Sequence, residues 1–258
     1  MHTVIEKIKE HSFLFSELVK RDFKKKYKRT YLGVIWSLLS PLLTLLVMSV
    51  IFKHFFGRDM PHYTIYLFCG NIVFSFFSNA SSEGMGALLG NAAIFTKIKL
   101  PKFLFLLSRS ITSLINFALT LLVFFIFCII DGIFPTARFL LLVYPIVCLF
   151  LFNFGVGLTL SALYVFFRDV EYLWRVFTQL LMYMSAIFYD TGALPERIRG
   201  LFYLNPVYVF IRYFRIIVLD GRVPSVWLHL LALFYAAASL TLGVLCYKRN
   251  DQKFLYYV

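Results

Sequence analysis

Charged side chains are scarce in this sequence. Asp, Glu, Lys and Arg make up 15% of the 258 residues and 60% are hydrophobic, whereas charged residues make up roughly 25% of a typical soluble domain. The apolar residues form long blocks, and a helix of about 20 such residues is long enough to cross a bilayer. The composition therefore excludes a soluble globular protein and predicts one membrane domain.

The sequence also lacks the motifs of several chemistries. No glycine is followed by lysine, which excludes the phosphate-binding loop G-x-x-x-x-G-K-[ST] and ATP binding of that kind. The four cysteines are scattered over apolar blocks and the five histidines show no metal-binding spacing, so we expect no bound metal. All 13 acidic residues fall in predicted loops or at span ends, which argues against an ion-coupled carrier. No removable signal peptide is apparent.

The charge-poor blocks predict an all-α membrane protein with six transmembrane helices. The predicted spans cover about residues 32–52, 61–82, 103–130, 139–167, 172–189 and 223–247. Residues 1–31 combine nine Lys and Arg with Phe and Leu, a pattern typical of an amphipathic helix lying in the membrane interface. A solvated charged tail is the alternative.

The distribution of Lys and Arg predicts the topology. With six spans both termini lie on one side, which then carries eighteen Lys and Arg against eight on the other side. Because basic residues concentrate on the cytoplasmic side, we expect both termini to be cytoplasmic. Topology and lipid headgroups explain the net charge of +13 better than nucleic acid does.

Two connections are longer than turns. Residues 83–102 are predicted to hold a short cytoplasmic helix, with Pro101 marking a sharp turn into the third span. Residues 190–222 are predicted to hold two outer helices, beginning at Pro195 and at Asn205-Pro206, with Asn205 as the N-cap. The second helix is about 21 Å long, too short to span. It either re-enters the membrane or lies in the outer interface.

Small and polar residues recur at helical spacing on two predicted spans. On the first span one face carries Gly33, Ser37, Ser40 and Thr44. On the fifth, one face carries Arg175, Gln179, Met182, Ala186 and Tyr189, with Tyr183 and Phe188 nearby. Such faces could line a hydrophilic passage for a polymer such as a glycan. Ordinary packing of small residues between helices explains the periodicity equally well.

Four segments carry a resemblance to a known family. They are RDFKKKYKRTYLGVIWSLLSP (21–41), NAAIFTKIKLPKFLFLLSR (91–109), FFRDVEYLW (166–174) and LNPVYVFIRYFRIIVLDG (204–221). Together they resemble the membrane subunits of type-2 ABC exporters of lipid-linked polysaccharide, such as O-antigen, capsule and teichoic acid. The resemblance implies a homodimer in the bacterial plasma (inner) membrane, bound to two P-loop ATPase subunits that hold ATP and Mg²⁺. By this resemblance the chain itself would not be an enzyme and would bind no cofactor. An undecaprenyl-pyrophosphate-linked glycan would pass through a canal at the dimer interface.

The resemblance also implies roles for particular residues. A coupling helix that contacts the ATPase would comprise Asn91, Ala92, Ala93, Ile94, Phe95, Thr96, Lys97, Ile98 and Lys99, with Pro101 at the turn and a second contact at Arg168 and Asp169. The interface helix would present Arg21, Lys24, Lys28 and Arg29 where the substrate headgroup enters. Canal candidates are Trp36, Ser37, Ser40, Thr44, Gln179, Tyr183, Phe188 and Tyr189. Near the outer exit, anionic lipid or glycan groups would meet Arg197, Arg199, Arg212 and Arg215.

Two other functions stay open. An ABC-2 type exporter of drugs or lipids would share the fold but would lack the LNP-x5-R-x2-R signature of residues 204–215. A membrane-embedded glycosyltransferase or lipid-modifying enzyme would need paired acidic or histidine residues at the membrane edge. The predicted outer loops offer isolated acids, among them Asp131, Asp190 and Asp220.

Overall fold

A computed structural model of the protein describes residues 11–27, 33, 35–56, 60–97, 100–251 and 253–257. Over these ranges the chain is helical with short connections, which confirms the predicted all-α class. The α-helices are α1 (Ser12–Tyr27), α2 (Ile35–Phe56), α3 (Tyr63–Met85), α4 (Ala92–Phe95), α5 (Phe103–Ile130), α6 (Val143–Phe166), α7 (Val170–Met184), α8 (Glu196–Phe202), α9 (Pro206–Val218), α10 (Val226–Asn250) and α11 (Phe254–Tyr257). Short 3₁₀ helices cover Leu89–Asn91, Ala137–Leu142 and Thr191–Ala193.

Several helices have the length and apolar composition of a transmembrane span. Among the described residues these are Phe103–Ile130, Ala137–Phe166 and Val226–Asn250, and the pair α8–α9, bent by 104°, adds a fourth if it is one span. The apolar segment Leu38–Met48 of α2 is shorter. The chain is therefore built to cross a membrane more than once, while the count of six spans remains a prediction.

The fifth predicted span is shorter than its apolar stretch, 172–189, suggested. α7 ends at Met184, five residues before the predicted boundary, because Ala186 adopts a left-handed backbone conformation with φ of 49°. An L-residue in that region cannot continue a right-handed helix. The 15 residues of α7 give a length of about 22 Å.

One end of the bundle gathers both terminal helices of the described chain. Leu18 of α1, Leu88, Phe95 of α4, Phe105 of α5 and Phe254 of α11 share one apolar cluster. We call this end of the molecule the α1 end. α1 and α11 therefore lie on the same side of the bundle.

Glycines allow helices to approach closely at two crossings. A Cβ added to Gly155 of α6 would collide with the backbone of Ser239 in α10, and one added to Gly243 of α10 would collide with the carbonyl oxygen of Gly155. At a second crossing, a Cβ on Gly84 of α3 would lie 3.1 Å from the Cα of Gly157. Without side chains at these positions, α6 approaches both neighbours closely, as small residues allow in membrane bundles.

The bent pair α8–α9 lies at the opposite end of the bundle. Asn205 caps α9, since its side-chain oxygen accepts hydrogen bonds from the backbone N–H of Val207 at 3.0 Å and of Tyr208 at 3.4 Å, and Pro206 follows as predicted. α9 packs against α3, α6 and α10, and nearly all of its residues are buried. The helix therefore enters the bundle and does not lie on its surface.

Candidate functional site

The exposed face of α3 is polar. Between residues 71 and 82, surface remains accessible only at Asn71, Ser75, Ser78, Asn79 and Ser82. The side of the helix that packs into the core carries mainly apolar residues, among them Val73 and Phe77. A helix facing lipid would show the reverse arrangement, because lipid tails offer no hydrogen bonds to amides and hydroxyls. This face of α3 therefore fits contact with water or a polar ligand.

A groove of about 480 Å³ runs beside this face, between α2, α3 and α5. Its lining is uncharged and combines hydroxyls, amides and aromatic rings. The lining residues are Trp36, Ser40, Pro41, Thr44, Asn71, Ile72, Ser75, Phe76, Asn79, Ser113, Asn116, Phe117 and Thr120. Three helices thus bring polar side chains to one concave surface.

Both threonine hydroxyls of the groove donate to their own helices. Thr44 donates to the carbonyl of Ser40 at 2.9 Å and Thr120 to that of Asn116 at 3.0 Å, which leaves lone pairs on the hydroxyl oxygens as acceptors. Ser113 donates at 2.5 Å to Glu83. Asn71 and Asn79 make no side-chain hydrogen bond within the described part of the chain, so their amides can both donate and accept. A surface with these properties suits a neutral, hydroxyl-rich ligand.

The polar stripe predicted on the first span faces this groove. Trp36, Ser40 and Thr44 all line it, while the side chain of Ser37 lies outside the described part of the structure. The sequence reasoning missed the contributions of α3 and α5. The signal was present in the second predicted span, where Asn71, Ser75, Ser78, Asn79 and Ser82 recur with helical spacing.

The canal candidates of α7 lie elsewhere. Gln179 and Tyr183 lie on the exposed surface of α7, and the hydroxyl of Tyr189 donates to the Tyr183 carbonyl at 3.0 Å. Phe188 is only 7% exposed and belongs to the main core, which corrects its predicted place on a canal surface. Within one chain, these residues are not brought to the groove beside α2.

A smaller pocket of about 360 Å³ lies on the other side of the α3 polar face, between α3, α6 and α7. Ser78 and Ser82 line one wall, and Trp174 and Thr178 of α7 line another. The charged lining residues interact with each other, since Arg175 donates to Glu171 at 3.3 Å. The polar face of α3 is therefore flanked by a concave surface on each side.

The four arginines predicted at the outer exit have different surroundings. Arg197 is exposed, Arg199 donates to the carbonyls of Gly192 and Leu194, and Arg212 lies 4.0 Å from Asp220. Arg215 is buried, with 2% of its surface exposed. Its guanidinium donates to the backbone carbonyls of Ala186, Ile187 and Tyr66, so the prediction that it meets lipid or glycan at an exit is wrong.

The coupling segment, residues 87–97, connects α3 to α5 at the α1 end. It contains a 3₁₀ turn and the single-turn helix α4, which places a short helix in the predicted connection. Asn91 and Phe95 are buried, whereas Ala93, Thr96 and Lys97 are exposed. A partner docking here would contact the exposed group. Ile98 and Lys99 lie outside the described residues.

The loop between α6 and α7 is exposed at the same end. Arg168 lies over the ring of Tyr164, with its guanidinium carbon 5.6 Å from the ring centroid, and Asp169 is exposed beside it. The pair is therefore exposed at the α1 end, and the second ATPase contact that the resemblance implies stays a prediction.

α1 carries exposed and buried charges on different faces. Lys24 is exposed, Arg21 is half-buried, and Lys28 and Arg29 fall outside the described residues. On the exposed face Lys20 donates to Glu17 at 2.8 Å. This hydrogen bond and the positive charge of Lys20 lower the pKa of the Glu17 carboxyl below its usual range.

Comparison with known proteins identifies the family. The family model described as ABC-2 type transporter matches residues 14–219, which is most of the chain and includes α3, α5, the coupling segment and α9. The chain belongs to the ABC-2 type transporter family. It is accordingly a multi-pass membrane protein and the transmembrane subunit of its transporter.

Several relatives of this ABC-2 transporter are similar over nearly their whole length. The chain is 27% identical over 224 residues to the O-antigen export system permease protein RfbA of Klebsiella pneumoniae, covering 85% of this chain and 86% of the relative. It is 27% identical over 229 residues to the RfbA protein of Myxococcus xanthus, covering 87% of each. It is 24% identical over 242 residues to the polysialic acid transport protein KpsM of Escherichia coli, covering 92% and 93%.

Proposed function

We propose that this ABC-2 transporter exports an undecaprenyl-pyrophosphate-linked polysaccharide across the bacterial plasma membrane. Two copies of the chain pair and each copy binds one P-loop ATPase subunit, which holds the ATP and Mg²⁺. α2, α3, α5, α6, α7 and α10 each cross the bilayer, and α8–α9 form a re-entrant hairpin on the outer side. The chain itself carries no catalytic residue.

The observation that carries this proposal is the uncharged polar face of α3 with its adjoining groove. A glycan presents many hydroxyl groups along its length, and these can both donate to and accept from amides and hydroxyls. Apolar rings such as that of Trp36 suit the C–H faces of sugars. A drug or lipid substrate, being largely apolar, would favour an apolar lining instead.

The orientation follows from charge. The α1 end carries Lys20, Arg21, Lys24, Lys25 and Lys97 among its exposed or half-buried residues. Because basic residues concentrate on the cytoplasmic side, this end faces the cytoplasm, where an ATPase can reach it. Ala93, Thr96 and Lys97 of the coupling segment are then the surface that docks into the ATPase.

A second copy would complete the passage. The groove is open on one side in a single chain. The helices on the two sides of the α3 polar face, α2 and α7, expose apolar residues including Val50, Phe177, Leu180 and Met184. Pairing of two chains along these helices would enclose the polar faces between them and exclude lipid from the path. Gln179 and Tyr183 would then face the partner copy.

The proposal is tested by reconstituting the chain with its ATPase partner in proteoliposomes. We expect undecaprenyl-pyrophosphate-linked glycan to stimulate ATP hydrolysis and to accumulate on the far side. Lys97→Glu should reduce the stimulation, whereas Glu196→Gln, at an exposed position of α8 at the opposite end, should not. Stimulation by apolar drugs or by lipids without a glycan, and none by any lipid-linked glycan, would contradict the proposal.

A further inference from the structure

α1 is joined to the start of α5 by a buried carboxylate. Asp22 has 2% of its surface exposed, and the hydroxyl of Ser108 donates to its Oδ2 at 2.7 Å. The Nε of Arg109 lies 3.6 Å from the same oxygen. A buried charge is costly unless donors surround it, so these contacts hold α1 against α5 at a defined position.

The other oxygen of Asp22 leads to the coupling segment. Arg21 donates to Asp22 Oδ1 through Nη2 at 2.7 Å and through Nε at 3.1 Å. The same Nη2 donates at 2.7 Å to the side-chain oxygen of Asn91. Asn91 in turn donates to the carbonyl of Ala87 at 2.8 Å. One continuous set of hydrogen bonds therefore connects α1, α5 and the residues from Ala87 to Asn91 that lead into α4.

Apolar packing supports the polar contacts. Leu18, one turn before Asp22 on α1, is buried in the same cluster as Leu88, Phe95 and Phe105. Polar and apolar contacts between α1 and the coupling segment thus lie side by side. In contrast, Glu17 and Lys20 pair with each other on the solvent side of the helix.

We propose that α1 moves with the coupling segment as one body, and that Asp22 and Arg21 are the positioning residues that lock the two together. This inference rests on the proposed function, in which ATPase closure displaces the coupling segment. α1 would then be a second route for that displacement. It would shift the membrane-surface helix at the place where a pyrophosphate headgroup approaches, in the same step that moves α5.

The direct test is hydrogen exchange on the wild-type permease–ATPase complex in nanodiscs, with and without a non-hydrolysable ATP analogue. We expect the analogue to change amide protection in residues 12–27 and in residues 87–97 together. A change confined to residues 87–97 would overturn this inference and leave the proposed function intact. No change in either segment would contradict the proposed coupling itself, and with it this inference.

A variant separates positioning from mere stability. In the Asp22→Asn complex we expect the nucleotide-induced change in amide protection to persist in residues 87–97 and to disappear from α1. The amount of glycan transported per ATP hydrolysed should fall about tenfold, because a hydrogen bond to a charged group is lost. Asp22→Glu should restore part of the ratio. Glu17→Gln, which breaks only the exposed pair on the same helix, is the matched control and should behave as wild type. An unchanged transport ratio and an unchanged α1 response in Asp22→Asn would overturn the role of Asp22.

Discussion

Arg215 stacks on Tyr66, with its guanidinium carbon 3.4 Å from the centroid of the tyrosine ring. The same arginine donates to the Tyr66 carbonyl at 3.3 Å and to the carbonyls of Ala186 and Ile187 at 2.9 and 3.0 Å. It thereby ties the beginning of α3 and the turn after α7 to α9. No carboxylate is among these partners, so the charge of Arg215 is stabilised by backbone dipoles and by the aromatic ring.

Replacing Arg215 should destabilise the α9 end of the bundle. Arg215→Leu leaves the carbonyls of Ala186 and Ile187 without their donor, and we expect the free energy of unfolding to fall by about 3 kcal/mol. Arg215→Lys should cost about 2 kcal/mol, because a single ammonium group lacks the planar fork of the guanidinium. Thermal unfolding of the purified protein in detergent measures both. Arg197→Gln, at an exposed position of α8, is the control, and equal melting temperatures for Arg215→Leu and this control would contradict the account.

Side chains at the α6–α10 crossing should be poorly tolerated. Gly155→Ala introduces a Cβ that collides with the backbone of Ser239, so the two helices must separate, and we expect a loss of about 2 kcal/mol in the same melting assay. Gly200→Ala serves as the control, since a Cβ at Gly200 meets no atom within 4 Å. If both variants melted at the same temperature, the close contact of α6 and α10 would not be required.

The two functions of the Asn205 side chain can be separated. Its oxygen caps α9, while its nitrogen donates to the carbonyl of Met184 at 3.2 Å and to the Ser185 hydroxyl at 2.9 Å. Asn205→Asp keeps the cap and loses the two donated bonds, so we expect a loss of about 1 kcal/mol. Asn205→Ala loses both sets and should cost about 2 kcal/mol. A smaller loss for Asn205→Ala than for Asn205→Asp would contradict this division.

The polar face of α3 should control transport and not stability. Asn79→Leu removes an amide from the groove without disturbing the core side of α3, and we expect glycan transport per ATP to fall about fivefold, the factor that corresponds to one lost hydrogen bond. Leu242→Phe changes an exposed apolar residue of α10, away from the groove and from the proposed pairing helices, and should leave transport unchanged. Proteoliposome transport, normalised to the assembled complex, provides the comparison. Equal transport by the two variants would argue against a path along α3.

Much of the helical layout could be predicted from the sequence, because long charge-free blocks and capping residues are local signals. The third predicted span, 103–130, coincides with α5, and Asn205-Pro206 begins α9 as expected. The end of α7 was missed because it lies at the left-handed turn of Ala186. There the carbonyls of Ala186 and Ile187 accept hydrogen bonds from Arg215, which is far away in the sequence. Every residue has a backbone carbonyl, so the residue types do not show which carbonyls will accept from a buried arginine. For the same reason Arg215 was expected at a surface.

The candidate site could be predicted only in part. Ser40 and Thr44 of α2 belong to a stripe that follows from helical periodicity alone, whereas Trp36 was implied by the family resemblance. The polar face of α3 has the same periodicity, but its importance depends on which side of the helix the neighbouring helices cover. Likewise, Arg21 and Asn91 are far apart in sequence, and only the folded chain brings their side chains within hydrogen-bonding distance.

The measurement that tests the central claim most directly is cysteine accessibility along α3 in the reconstituted complex. Single cysteines at Ser75, Ser78, Asn79 and Ser82 would be treated with a membrane-impermeant maleimide, with Cys246 replaced by Ser and the buried Cys69, Cys128 and Cys148 left in place. Cysteines at the core positions Val73 and Ala80 are the controls. The account predicts fast labelling at the four polar positions, slow labelling at the two controls, and protection of the four positions by lipid-linked glycan during turnover. Equally slow labelling at all six positions, or labelling that the glycan never protects, would contradict a translocation path along this face.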